Sequence, residues 1–335
     1  MNPVASPPAV LLHVTSTDGH RGSYLSLLGG LLNGVRASGP WQMLRAPTPV
    51  FFLTLEGAFG LYCFIASLRV LSGRQTLGLL LRPGPALTGQ SLRLRIKRRI
   101  LKWLRCMPKV QTFTILPFSV EPGLAEIADG WIHDPQLWDL TAKERRQEER
   151  AEGAICADIR KAAAGRRICC ALGRQDKSKG FDWFADLYAE HLPLRETLLF
   201  AFGGKVDGEV AASLGSFEQA GGFACNRFVT DSELLDIYAA ADLIWCAYDP
   251  GYDQASGILG RAVQLGIPVM VRRGSLAHRL CKIEGFAHLA IDPTTDVRAF
   301  ANLPPREDED KAVDRARRMG AESLERLRAA LGVAP

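Results

Sequence analysis

The 335-residue chain is 47% hydrophobic and 23% charged, enough for two domains with separate cores and too balanced for a disordered or integral-membrane protein. Charge is uneven: residues 1–140 hold 14 Lys/Arg against 7 Asp/Glu, and the remainder 27 against 29. From Gly57 to Val120 eleven basic residues stand without a single acid, a field that attracts an anionic partner such as lipid head groups, nucleic acid or a phosphorylated substrate.

PAVLLHVTS reads as a first strand, running into a loop at Thr17–Ser23 and then the apolar helix YLSLLGGLLNGV. Gly19 and Gly22 flank His20 and Arg21, where an anion has room to sit; a well-capped loop reads the same way. The spacing is not GxGxxG, so a dinucleotide fingerprint is absent. Pro49–Leu68 is about long enough to span a bilayer, but it carries Glu56 and two glycines and splits into strand, turn and helix.

TLGLLLRPG is the next strand, followed by SLRLRIKRRILKWLRCMP. In this basic helix Leu92, Ile96, Ile100 and Trp103 share one face. Either that stripe docks on the domain's own sheet, or the helix (residues 91–106) lies on an anionic membrane surface. VQTFTILPF closes the first set of strands. DGWIHDPQLWDL then brings Trp131, His133, Asp134 and Trp138 together, as a sugar or lipid site or as a packed linker. The charged residues 141–166 read as a helical crossing between domains.

From Arg167 the βα alternation is regular, giving RRICCALG, FDWFADLYAEHL, TLLFAFGG and GEVAASLGSFEQAGG in turn. In RFVTDSELLDIYAAADLIWCAYDPGYDQASGILGRAVQLGIPVMV, Phe228-Val229 closes a strand and Thr230 or Ser232 caps a helix. LIWCAY is a buried strand, Ser256-Gly257 opens another helix, and VMV is the next strand. A long charged helix at about residues 307–331 ends the chain. The result is an α/β protein of two Rossmann-like parallel-sheet domains, 1–140 and 141–335, with the terminal helix free to pack back on the first. The eight cysteines form no CxxC pair and lie mostly in apolar runs, predicting buried free thiols in a reducing compartment. The first twelve residues lack the pattern of a secretory signal, so a cytoplasmic location is expected.

Three passages resemble the GT-B-fold glycosyltransferases of the family 4 type, over roughly Ile168 to Val271. ALGRQDKSKGF is similar to that family's G-R-x4-K-G-[FW] motif, RFVTDSELLDIYAAADLIWCAYD to its strand–helix–strand block, and DQASGILGRAVQLGIPVMV to its E-x7-E block. The resemblance implies two Rossmann-like domains facing a cleft, with the donor held by the C-terminal domain and the acceptor by the N-terminal one. It places Arg174 and Lys179 on the donor diphosphate and Asp253 on the donor sugar as the catalytic set. Gly173, the backbone at Val229 near the nucleobase, and Ser256, Gly257 and Ile258 at a helix start complete the donor site, with Gly19 from the first domain. Asp253 stands where the family has its first Glu. Arg261 stands where it has its second, which grips the ribose diol, and a guanidinium cannot accept those hydrogen bonds. His20, Arg21 and His133 are acceptor-side candidates.

The chemistry of these residue types points the same way: Arg174 can grip phosphate oxygens bidentately, Lys179 adds a point charge, and a helix start offers free N–H groups. Together with the basic first domain, the resemblance implies a UDP- or GDP-sugar and a lipid-linked or polysaccharide acceptor as partners, in surface polysaccharide biosynthesis on the inner face of the membrane. No cofactor, metal or nucleic acid is expected. The rival reading is a catalytically silent GT-B protein that binds a sugar nucleotide or glycan as partner or regulator.

Overall fold

A computed structural model describes residues 9–16, 20–140, 153–254 and 256–334; residues 141–152 of the expected 141–166 crossing and Gly19 lie outside them, the rest of the crossing holds the helix Ala154–Ala163, and of His20 and Arg21 only the backbone is described. The chain forms two compact units, Met1–Pro135 with Arg318–Pro335, and Gln136–Arg317.

The first unit is built on a six-stranded sheet of β1 (Val10–His13), β2 (Gly34–Arg36), β3 (Val50–Phe52), β4 (Thr76–Leu80), β5 (Val110–Thr114) and β6 (Gly130–Trp131). Every pairing is parallel and the order is β2-β1-β3-β4-β5-β6. β3 and β4 are wholly buried, as strands covered on both faces must be. The apolar window at 49–68 therefore becomes β3, a turn and the helix Phe59–Val70. The short edge strands β2 and β6 fall where the sequence reads as helix end and linker. Arg69 is 1% exposed and donates to the carbonyls of Met43 (2.5 Å), Ala46, Thr48 and Gln75 and to Thr76 Oγ1. One guanidinium thus ties the 40–48 segment to the helix end and the start of β4.

The second unit repeats the plan with β7 (Arg167–Leu172), β8 (Leu198–Gly203), β9 (Phe223–Cys225), β10 (Leu243–Cys246), β11 (Val269–Arg272) and β12 (His288–Ile291). These are again all parallel, in the order β12-β11-β10-β7-β8-β9. Its core is aromatic: Phe181, Phe184, Tyr188, Phe200, Phe202, Phe217 and Trp245 are all buried together. Each such side chain contributes about 1.5–3 kcal/mol by burial, which fixes the strand ends that carry the loops. The strand expected to close at 228–229 ends instead at Cys225, whose carbonyl accepts from Gly204 N and Arg227 N. Val229 is a buried loop residue just before the helix Asp231–Ala240, which Thr230 and Glu233 start with a reciprocal capping box.

The helix Glu309–Leu331 begins in the second unit and its residues from Arg318 belong to the first. There Ser323 Oγ accepts from His133 N (3.0 Å), Gln75 donates to the Ala330 carbonyl, and the Arg326 guanidinium lies 3.6 Å from the Trp131 ring centre.

All eight cysteines are free; five are buried, Cys63 and Cys225 are half-buried and Cys106 is exposed. Burial pushes the Cys63 thiol up to about 11 and the Cys246 thiol up to about 12, so neither is appreciably thiolate at pH 8. A disulfide reagent at that pH is expected to modify Cys106 first, and Cys106→Ser to remove the fast phase. Rapid reaction of several thiols in the folded Cys106→Ser variant would contradict the packing.

Candidate functional site

In an open parallel sheet, ligands bind at the strands' carboxyl ends where the strand order reverses. In the second unit the chain runs β7-β8-β9 one way and β10-β11-β12 the other, so that point lies between β7 and β10. The loops leaving these two strands are 173–180 and 247–256.

The first loop is held at every step. Gly173 turns the chain at φ 79°. Gln175, buried, donates to the Gly173 carbonyl and pairs with Val206 beyond β8. Asp176 accepts from Lys179 N (3.0 Å) and Ser178 Oγ (2.6 Å), closing a single turn over 177–179. Gly180 then takes φ 66°, and a Cβ there would stand 2.6 Å from the Ala247 carbonyl oxygen. Trp245 Nε1 donates to the Lys179 carbonyl, and Asp249 N to that of Ser178. The loop after β7 is thereby stitched to β10.

That stitching fixes the Lys179 ammonium 4.3 Å from the ring centres of both Tyr248 and Tyr252. No carboxylate among the described residues pairs with it. Tyrosine faces attract a cation without forming an ion pair with it, so Lys179 stands at the switch point without a counter-ion among the described residues. Arg174 differs: its side chain is 71% exposed and forms a bidentate pair with Asp207, Nε lying 2.9 Å from both carboxylate oxygens and Nη2 hydrogen-bonded to Oδ2. The guanidinium's hydrogen bond in turn holds the Asp207 carboxyl below the usual carboxylate range.

The second loop brings Tyr248, whose hydroxyl is 2.8 Å from Ser256 Oγ, to the start of the helix Gly257–Gln264. The Ile258 carbonyl accepts from Tyr238 Oη, and its side chain faces Gly173, where a Cβ would lie 3.7 Å from Cδ1. Ile258 thus meets Gly173, and Tyr248 links Lys179 to Ser256 at the helix start. Gly257 admits a close approach, but the group that makes it is Gln136, whose Oε1 would be 1.4 Å from a Cβ. Asp253 accepts from Leu276 N at 2.8 Å, adding to the N-terminal cap of the helix Leu276–Glu284, and its other oxygen lies 3.6 Å from Arg272 Nη2.

Arg261 has an acid partner: Asp139 Oδ2 lies 3.7 Å from its Nη2, while its Nε is buried without a hydrogen bond. Asp139 also accepts from Gln264 Nε2 (2.8 Å), which bonds to the Gln136 carbonyl, and Gln264 Oε1 accepts from Leu140 N. Residues 136–140 are thus strapped across the helix that starts at Gly257.

In the first unit the order reverses between β1 and β3. Glu56, just beyond β3, accepts from Thr54 Oγ1 and from Arg82 N past β4. It is the one acid between Gly19 and Val120. His133 is buried edge-on to Trp131 at 5.0 Å, and the neighbouring Asp134 accepts from Tyr24 Oη at 2.5 Å. Sequence reasoning misses Tyr248, Tyr252, Asp207 and Glu56. The available signal for the tyrosines was AYDPGY, two rings four apart around a chain break directly after a buried strand.

No protein-family model and no curated protein matches this chain. Solved structures do. A glycosyltransferase from Rickettsia africae is 11% identical, with TM-score 0.60 over 96% of this chain and 98% of that one. Anabaena HepE, solved in complex with UDP, is 10% identical with TM-score 0.57 over 96% and 94%. An α,α-trehalose 6-phosphate synthase from Burkholderia multivorans is 15% identical with TM-score 0.56 over 87% and 72%. The fold is GT-B. Within this GT-B chain the loop geometry yields a direct test: Gly180→Ala must strain its backbone and meet the Ala247 carbonyl, at a cost of about 1–3 kcal/mol. Denaturant unfolding measures that cost, and an unchanged midpoint would refute the clamp.

Proposed function

We propose that the protein transfers a sugar from a nucleotide-diphosphate donor, UDP- or GDP-linked, to a lipid-linked or polysaccharide acceptor in surface polysaccharide biosynthesis. The observation that carries the reading is the unneutralised Lys179 ammonium between Tyr248 and Tyr252 at the switch point of the second sheet. In the transfer, the bond from the anomeric carbon to the diphosphate breaks and one to the acceptor oxygen forms. The acceptor proton leaves with the diphosphate. Charge develops on that leaving group, and a fixed cation stabilises it most where water is displaced. Lys179 meets the phosphate as a point charge. Arg174 reaches it by exchanging one Asp207 oxygen for a phosphate oxygen, with Asp207 holding the guanidinium in place until then.

Gly173 allows close backbone approach, the start of the Gly257–Gln264 helix, with Ser256 and Ile258, offers N–H groups, and the backbone at Val229 takes the base. Asp253 orients the sugar through the oxygen that only loosely engages Arg272, since 3.6 Å is an ion contact and not a hydrogen bond. The family 4 resemblance supports retention of anomeric configuration, and these fixed cations support independence from a metal. His20, Arg21 and His133 remain the acceptor-side candidates.

One observation favours a second reading, a silent GT-B protein that binds a sugar nucleotide without turnover. Arg261, paired with Asp139, offers a ribose no carboxylate. Single-turnover assays with a panel of UDP- and GDP-sugars separate the two. The enzyme reading expects slow donor hydrolysis without acceptor, reduced about 100-fold or more in Lys179→Ala, the scale of losing one transition-state contact. Binding with no hydrolysis in any combination of donor and acceptor would establish the silent reading.

A further inference from the structure

The basic helix Leu92–Leu104 has two apolar sides, and only one of them packs inward. Its inward side carries Leu101 and Leu104, both buried, with half-buried Leu94. Two of its cations also turn inward. Lys97 sits over the Phe59 ring at 5.0 Å, and Arg98 donates to the Ala86 and Gly89 carbonyls. The apolar stripe of Leu92, Ile96 and Trp103 faces out, 72%, 46% and 53% exposed. On a helical wheel Arg95 and Arg99 flank it on one side and Arg93 on the other; all three are exposed.

The neighbouring helix extends this face. β3, β4 and β5 are adjacent in that order, so successive right-handed crossovers place the helices Phe59–Val70 and Leu92–Leu104 on the same side of the sheet. The Lys97–Phe59 contact confirms that they are neighbours. The outward side of Phe59–Val70 and the residue after it shows Phe64, Leu68 and Leu71, spaced i, i+4, i+7 and 55%, 40% and 83% exposed. Two apolar stripes thus lie on the outward sides of neighbouring helices, every residue in them at least 40% exposed. They stand within the 57–120 stretch that has eleven basic residues and no acid.

We infer that this face of the first unit docks on an anionic lipid bilayer, with the two stripes in the headgroup layer and the flanking arginines on lipid phosphates. An interfacial helix needs an outward apolar stripe, cations at its flanks and an aromatic at the edge, and each is present. No helix among the described residues is long and apolar enough to cross a membrane, so the contact is peripheral. The make-up of the face excludes the other occupants. A second copy would bring like charge against like, and a nucleic-acid backbone would meet leucine, isoleucine and tryptophan along the centre of the face instead of cations.

The inference does not rest on the donor site, and its test needs no nucleotide. Full-length protein is sedimented with phosphatidylcholine vesicles, with and without about one-third phosphatidylglycerol, at low and high salt. Binding is expected to require phosphatidylglycerol and to weaken with salt. Replacing Arg93, Arg95 and Arg99 by Gln should weaken it about a hundredfold. The pair Ile96→Glu and Trp103→Glu should abolish it with circular dichroism unchanged, since both side chains are exposed. Absence of binding to anionic vesicles, or binding that both variants retain, would overturn the inference. So would an oligomer that the Ile96→Glu, Trp103→Glu pair dissolves, or duplex DNA that competes equally with vesicles.

Discussion

The ammonium of Lys179 between two tyrosine faces is the constraint around which the C-terminal half is arranged. A lysine left to itself would seek water or a carboxylate; here the loop that carries it is fastened to the strand that supplies the tyrosines. Trp245 and Asp249 donate to backbone carbonyls of that loop, and Gly180 lets it pass against Ala247. Each cation–π contact is worth about 0.5–2 kcal/mol, too little to hold a flexible side chain alone. The ordered loop removes most of the entropy that would otherwise oppose it. The tyrosines and the aromatic core belong to one structure: Trp245 packs on Phe184 and Trp183 while its indole N–H reaches the Lys179 carbonyl. Core packing therefore sets the position of a surface charge.

Arg174 and Arg261 show two different fates for a guanidinium near that charge. Arg174 is exposed and matched to Asp207, a partner that can be exchanged at low cost because both groups are partly solvated. Arg261 is mostly buried and tied to Asp139, within a network that Gln264 and Gln136 complete. Breaking a buried pair is far more costly than breaking an exposed one. Arg261 and Gln264 thus strap residues 136–140 to the helix that carries them.

Much of the fold was legible because buried parallel strands write themselves as unbroken apolar runs: PVFFLTLE, RRICCALG, TLLFAFGG and LIWCAY each contain a strand. Short edge strands such as Gly34–Arg36 and Gly130–Trp131 have no such run, and only their neighbours' backbones define them. Among the site residues, Gly173, Lys179 and Ser256 stand at strand ends or a helix start, where local sequence carries the signal. The role of Gly257 was not legible, since the group that approaches it, Gln136, is far away in sequence. The orientation of the basic helix was equally hidden. Its wheel shows two half-apolar sides, Leu92-Ile96-Trp103 and Leu94-Leu101-Leu104, and only the sheet decides which one is covered.

The central claim is that Lys179 reads a diphosphate. Calorimetric titration of UDP and UMP, with GDP and GMP alongside, into wild type and Lys179→Met measures it most directly. One charge-assisted contact is worth about 1.5–3 kcal/mol, so wild type should prefer one of the diphosphates to its monophosphate by at least about tenfold, and Lys179→Met should lose that preference while keeping its monophosphate affinity. A preference for the diphosphate that survives in Lys179→Met would contradict the account.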